Sequence, residues 1–97
     1  MNIELKKFGT TLISRPTGKE AFAAFQSTIK NLPEDEDLIM DFDGVITFSP
    51  SWGDEFLTPL ARIYGNRFKL KDTQNLSAKT TLEILETTNN IKFNIIS

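Results

Sequence analysis

Apolar residues recur at helical spacing in three stretches of the chain. The first stretch predicts a helix over residues 18–31. A capping box formed by Thr17 and Glu20 is expected to begin this helix, because each side chain satisfies a free backbone N–H of the first turn. Pro33 is expected to end it, since proline lacks the N–H that a helix interior needs. The predicted buried face holds Phe22, Phe25, Ile29 and Leu32.

The second stretch predicts a helix over residues 52–64 that begins behind a similar signal. Ser51 and Asp54 have the spacing of another capping box, and Gly65 is a suitable stop. Pro59 lies inside the helix and is expected to kink it. The predicted buried face holds Trp52, Phe56, Leu60 and Ile63.

Alternating or continuous apolar residues predict the strands. The predicted strands cover residues 3–7, 11–14, 38–42, 45–48, 68–71 and 91–95. The first two are expected to form a hairpin around Gly9-Thr10, and the apolar run 38–42 is expected to be covered on both faces. Ser77 is expected to cap a third helix over residues 78–88, with Leu82 and Leu85 in the core.

Strands that alternate with helices predict an α/β fold. We expect one domain over residues 1–97, with a mixed, mostly parallel sheet of about five strands and about three helices packed on it.

Composition and charge exclude several classes of function. The net charge is −2 and no basic face is evident, so we expect no nucleic-acid partner. Apolar runs such as Leu38-Ile39-Met40 are far too short to cross a membrane. The chain has no histidine and no cysteine, which rules out a Ser-His-Asp triad, a thiolate nucleophile and the usual zinc sites. Any catalysis would have to rest on carboxylates, lysine, tyrosine or a bound magnesium ion. We expect neither enzyme activity nor a cofactor, and the missing cysteines are compatible with a cytoplasmic location.

One segment resembles the first motif of haloacid dehalogenase-type phosphatases. Residues 38–47, LIMDFDGVIT, read as an apolar strand that runs into D-x-D-G-V. The resemblance would make Asp41 the nucleophile and Asp43 the acid/base, with magnesium beside them. The family also needs a second acidic pair at the end of a later strand. The later acids are Asp72, Glu83 and Glu86, and none is predicted to form such a pair.

A second resemblance extends over most of the chain. The segments LIMDFDGV at 38–45 and FSPSWGDEF at 48–56 resemble STAS domains (sulphate transporter and anti-sigma factor antagonist type), in particular the small bacterial STAS-like proteins. Further similar segments are Ser14-Arg15 with Gly18, then 65–68, and then 75–77. The resemblance implies the STAS-like version of the α/β fold. It also implies a regulatory, non-enzymatic module that binds a kinase-type ATPase or a related regulator.

The same resemblance implies a site at the start of the second helix. Members of the family lose their partner when a serine there is phosphorylated, and the matching residue is Ser51, with Ser49 as its neighbour. A simpler interpretation makes Ser51 only a helix cap. The residues expected to contact the partner are Phe48, Ser49, Ser51, Trp52, Asp54, Glu55 and Arg15.

Three alternatives stay open for these residues and for the function. Trp52 could be an exposed anchor, but its place on the apolar stripe favours a core residue. Arg15 could hold an anion beside a helix start. The chain could instead bind a small ligand or a nucleotide, although it has no glycine-rich phosphate loop.

Overall fold

The computed structural model describes all 97 residues and contains six strands and three α-helices. The strands are β1 (Asn2–Glu4), β2 (Thr11–Leu12), β3 (Leu38–Asp41), β4 (Thr47–Phe48), β5 (Phe68–Lys71) and β6 (Asn94–Ile96). The helices are α1 (Arg15–Ile29), α2 (Pro50–Tyr64) and α3 (Leu76–Asn89). Short 3₁₀ turns cover Leu5–Phe8 and Gly65–Arg67. The predicted α/β class is confirmed.

The strands form two separate sheets, and every pairing is parallel. Four strands make the main sheet in the order β1-β3-β5-β6, and β2 pairs with β4 in a small second sheet. Neighbouring strands of the main sheet are joined by connections that contain α1, α2 and α3 in turn. Because parallel crossovers are right-handed, these three helices lie side by side on one face, with α2 packed between α1 and α3.

The predicted hairpin between the first two strands is wrong. β1 pairs with β3, which places Ile3 beside Met40, and β2 pairs with β4, which places Leu12 beside Phe48. The 3₁₀ turn between β1 and β2 carries the fully buried Leu5 into the core. An isolated two-stranded hairpin is marginal in water, whereas these pairings add each short strand to a hydrophobic core.

The main sheet is covered on one face only. Ile3, Met40 and Leu70 are in register on the helix side and are buried. The opposite face carries cross-strand ion pairs, including Lys69 Nζ to Asp37 at 2.6 Å and Lys71 Nζ to Asp41 at 3.7 Å. The expectation that residues 38–42 are covered on both faces is therefore wrong, because charged neighbours keep the second face in water.

All three helices begin two or three residues earlier than predicted. Ser14 caps α1 by accepting a hydrogen bond from the Thr17 amide, so Thr17 and Glu20 do not form its capping box. Asn75 caps α3 in the same way by accepting from the Ala78 amide. In both helices the true cap lies just upstream of a second plausible capping residue, which is why the spacing alone misplaced the start.

The core packs the helix face of the sheet against α2 and its neighbours. Leu82 and Leu85 of α3 are buried as predicted, and so are Phe56 and Leu60 of α2. Ile63 is 59% exposed, so the predicted stripe on α2 ends one turn early. Leu57 is buried in its place, because α2 lies between two helices and buries more than one stripe. No helix is both long enough and apolar enough to cross a membrane.

Candidate functional site

The N-terminal ends of the three helices meet at one end of the molecule. This tip consists of residues 9–15, 43–51 and 72–77, at the carboxyl ends of the parallel strands. The Phe48 amide donates to Ser77 Oγ at 3.0 Å, and Thr81 Oγ1 donates to the Phe48 carbonyl at 2.8 Å. These bonds fix β4 against the start of α3. The tip is the surface on which the sequence predicts the partner site.

Ser49, rather than Ser51, caps α2. Its hydroxyl donates to the Ile13 carbonyl and accepts a hydrogen bond from the Trp52 amide at 3.3 Å. Pro50 occupies the first helical position, where the missing N–H costs nothing. Ser51 is therefore already inside the first turn and is half-buried. The predicted capping box of Ser51 with Asp54 does not form.

The start of α2 has little remaining capacity to hold an anion. The Ser49 amide donates to Leu12 and the Gly53 amide donates to Ser49, both at 2.9 Å. The Trp52 amide is taken by the Ser49 hydroxyl, and Pro50 has none. Only the Ser51 amide is left of the donors that a helix N-terminus normally offers. A phosphate here would act through its charge rather than by filling a cradle of N–H groups.

Arg15 is bound by two carboxylates, so it is not the free cation that the sequence analysis considered. Its Nη1 lies 3.0 Å from Asp54 Oδ2 and 2.9 Å from Glu55 Oε1. The hydrogen bonds that Arg15 donates to Glu55 and to Asp54 raise the pKa of its guanidinium above its ordinary value. The three side chains together carry one net negative charge, so this group would repel an added anion.

Asp54 also connects the three helices. Its Oδ1 accepts hydrogen bonds from Thr58 Oγ1 at 3.2 Å and from Asn89 Nδ2, at the end of α3, at 3.1 Å. Burial raises the pKa of Asp54, but the hydrogen bonds from Arg15, Asn89 and Thr58 outweigh it and hold the pKa below its ordinary value. Asp54 is thus placed to stabilise the packing of α1, α2 and α3. A partner contact could use only the part of its side chain that stays accessible.

Phe48 and Trp52 lie inside the core rather than on the tip's surface. Each is 1% exposed. The Trp52 ring stacks on Phe56 with centroids 4.9 Å apart and meets the Phe48 ring at 5.6 Å. The interpretation of Trp52 as a core residue is confirmed. The expectation that Phe48 and Trp52 contact a partner does not fit this burial, because neither ring reaches solvent.

Other apolar residues are exposed on the tip and beside it. Leu76 is 77% exposed and Ile46 is 70% exposed, and Ile13 and Ile84 are also exposed. Pro50, Leu76 and Ile84, with Thr80 between them, line a groove of about 380 Å³ between the start of α2 and α3. The adjoining segments 44–53 and 73–78 contain no charged residue.

The sequence did not predict this groove, because α3 was expected to begin at residue 78 and begins at Leu76. Leu76 then appeared to belong to a loop, although it is the first residue of α3. The available signal was Asn75, a strong capping residue that directly precedes Leu76.

The two aspartates of the phosphatase-like motif line a second cleft, which lies partly within the tip. Asp41 Oδ1 accepts a hydrogen bond from the Asp43 amide at 2.9 Å, as in an ordinary Asx turn. Asp72 directly follows β5 and lines the same cleft, but it is a single acid and not the second acidic pair that the phosphatase family needs. No group of three or more acidic side chains is arranged to hold a metal ion.

Comparison with protein-family models, curated proteins and solved structures finds no match to this chain.

Proposed function

We propose that this chain is a non-enzymatic regulatory module that binds a protein partner through its tip, as its resemblance to STAS-like domains implies. The observation that carries the proposal is the uncharged apolar groove between α2 and α3, where Leu76 is 77% exposed. Protein interfaces concentrate apolar residues and exclude charged ones at their centre. Contiguous exposed apolar surface on a small domain commonly marks such an interface.

Ser51 is the proposed site of regulation. A phosphate on Ser51 would add about 1.5 to 2 negative charges in the first turn of α2. Asp54 and Glu55 lie three and four residues further along the helix, where their carboxylates are neighbours of position 51. Because only the Ser51 amide is free to donate a hydrogen bond to the phosphate, most of the phosphate charge would stay uncompensated at the edge of the uncharged groove. It would therefore oppose docking of an apolar partner.

Ser49 is the weaker candidate for the same modification. Its hydroxyl is committed to the Ile13 carbonyl and to the Trp52 amide, so a phosphate there would remove the cap of α2. Phosphorylation at Ser49 would act by disturbing the helix start, whereas phosphorylation at Ser51 would leave the cap in place.

The proposed partner is a kinase-type ATPase or a related regulator, in line with the resemblance. The proposal also includes a cytoplasmic location and involves neither nucleic acid nor membrane. The net charge of −2 supports the absence of a nucleic-acid partner, and the absence of cysteine supports the cytoplasmic location.

Affinity capture from a native lysate, read by mass spectrometry, tests the proposal. The baits are the wild type, Ser51→Asp, Leu76→Asp and the control Ser27→Asp, which places the same charge on an exposed serine of α1. We expect one partner to be retained by the wild type and by Ser27→Asp and to be lost with the other two baits. Equal capture by all four baits would place binding elsewhere and would contradict the proposal.

A magnesium-dependent phosphatase is the second candidate, because Asp41 and Asp43 of the D-x-D-G-V segment line one cleft; their carboxylates and that of Asp72 are not arranged to hold a metal ion by themselves. If this candidate is correct, the chain hydrolyses a small phosphate ester with Mg²⁺ and Asp41→Asn abolishes the turnover. If the binding proposal is correct, Asp41→Asn leaves partner capture unchanged, since no chemistry depends on that carboxylate.

A further inference from the structure

The edge strand β6 presents unpaired backbone groups. The Asp72 amide donates to the Ile96 carbonyl at 2.8 Å, so Ile96 directs its backbone groups toward β5. Backbone direction alternates along a strand, and Ile95 therefore directs its N–H and C=O to the free edge. This N–H can donate a hydrogen bond to a further strand, and this C=O can accept one from it.

The helix layer does not cover this edge. Ile95 is in register with Leu70, and both side chains point to the helix side of the sheet. Leu70 is fully buried, whereas Ile95 is 47% exposed. A cleft of about 180 Å³ separates α3 from β6 and has Leu82 and Ile95 as its apolar residues. At the opposite edge, by contrast, Ile3 of β1 is buried.

The sequence of this edge lacks most of the features that usually prevent edge pairing. Residues 93–97, FNIIS, contain no proline and no charged side chain. Exposed edges are normally protected by lysine, proline or an inward-pointing charge. A short length is the one protective feature, because β6 has only three residues.

We propose that β6 pairs antiparallel with β6 of a second copy of this chain, so that the two main sheets become one continuous sheet. A two-fold axis at Ile95 would bring it opposite Ile95 of the second copy, with two N–H···O=C bonds between them. The two isoleucine side chains would then cover each other on the helix side. This contact would fill the open cleft with apolar surface from the other copy.

Charges beside the cleft favour a second copy as the occupant. Lys79, Glu83 and Glu86 all line the cleft on α3, with the lysine toward the start of the helix and the acids toward its end. A two-fold axis makes the two copies of α3 antiparallel. Lys79 of each copy then faces the acidic end of the other α3, which is the self-complementary pattern that an isologous interface needs.

Molar mass measured against concentration tests the proposal. From about 10 μM to about 1 mM, where small interfaces associate, we expect the mass to rise from 11.0 kDa toward twice that value. Ile95→Lys should weaken association at least tenfold, because it places two like charges on the axis. Ile63→Lys is the matched control, since Ile63 is similarly exposed but lies on α2, and it should associate like the wild type.

A wild type that keeps the one-chain mass up to about 1 mM would overturn the proposal. Association that Ile95→Lys leaves unchanged would overturn it too, because another surface would then be responsible. Circular dichroism of Ile95→Lys checks that the monomer is folded. If that variant is unfolded, Ile95→Thr, which keeps a β-branched side chain, replaces it with the same two criteria.

Cross-linking gives an independent measurement, since the chain has no cysteine of its own. Opposed residues of a hydrogen-bonded antiparallel pair have Cα atoms about 5.5 Å apart, which is within disulfide range. Ile95→Cys should therefore form a covalent dimer on mild oxidation, and Ile63→Cys should form much less. Equal cross-linking of the two variants would contradict the proposed pairing.

Discussion

Replacement of Gly18 by alanine tests the close approach of α1 and α2 that builds the tip. A Cβ atom at position 18 would lie 2.7 Å from the Trp52 carbonyl oxygen and 3.0 Å from the Trp52 Cα. Both atoms belong to the backbone of α2, so no side-chain rotation can relieve the contact. Ordinary van der Waals contact begins near 3.4 Å, so the two helices would have to separate by about 0.7 Å.

Two opposing effects set the size of the change. Alanine stabilises a helix interior by about 1 kcal/mol relative to glycine, so propensity alone predicts a gain. Overpacking of a well-filled interior typically costs about 1 to 3 kcal/mol, and a contact with backbone belongs at the upper end. The free energy of unfolding should therefore fall by about 1 to 2 kcal/mol, which corresponds to a melting temperature lower by about 5 to 15 °C.

Urea unfolding followed by tryptophan fluorescence measures this change directly. Trp52 is the only tryptophan and lies at the contact, so its emission reports on the same site. Gly53→Ala is the matched control, because its Cβ would meet only side-chain atoms of Leu85 and Phe48, at 3.1 Å. We expect a smaller loss for that variant. If Gly18→Ala equals or exceeds the wild type in stability, the close approach of the two helices is refuted.

Two further predictions concern the start of α2. Ser49→Ala should lower the free energy of unfolding by about 1 kcal/mol and Ser51→Ala by less than about 0.5, as measured by urea unfolding, because only Ser49 caps the helix. Equal losses would contradict the assignment of the cap. The second prediction concerns pH, because the folded-state pKa of Asp54 is held below its unfolded value of about 4. Its contribution to stability is therefore complete above pH 4 and is lost as the pH falls through the folded-state pKa. Asp54→Asn should thus be less stable than the wild type at pH 7, and the difference should shrink toward pH 2; a difference independent of pH would show that the Arg15 contact is not electrostatic.

The sequence determined the helices and strands that depend on short-range patterns of apolar residues. Phe56 and Leu60 recur at helical spacing and are buried, and α2 forms around them. The apolar residues of β5, Phe68 and Leu70, alternate with lysines that stay only half-buried, in keeping with a one-sided sheet. Local periodicity and turn residues act over a few neighbours, which is why they predicted the α/β order correctly.

The start of α2 was within reach of the sequence but was assigned to the wrong serine. Ser49 and Ser51 are both good capping residues, and the spacing of Ser51 to Asp54 favoured the second. Pro50 was the deciding signal, because proline is favoured at the first helical position and so places the cap at residue 49.

Only the tertiary structure decided which distant segments meet. β1 pairs with β3 and β2 pairs with β4, in two separate parallel sheets. Each partner lies more than thirty residues away along the chain, so no local pattern could predict the pairing. Arg15 contacts Asp54 and Glu55, which lie 39 and 40 residues further along the chain. The arginine that the sequence suggested as an anion site is therefore ion-paired within the fold. The exposure of Leu76 and Ile95 was equally hidden, since burial depends on where the helix layer ends. Periodicity shows which side chains share a face, but only the packed chain determines whether another element covers that face.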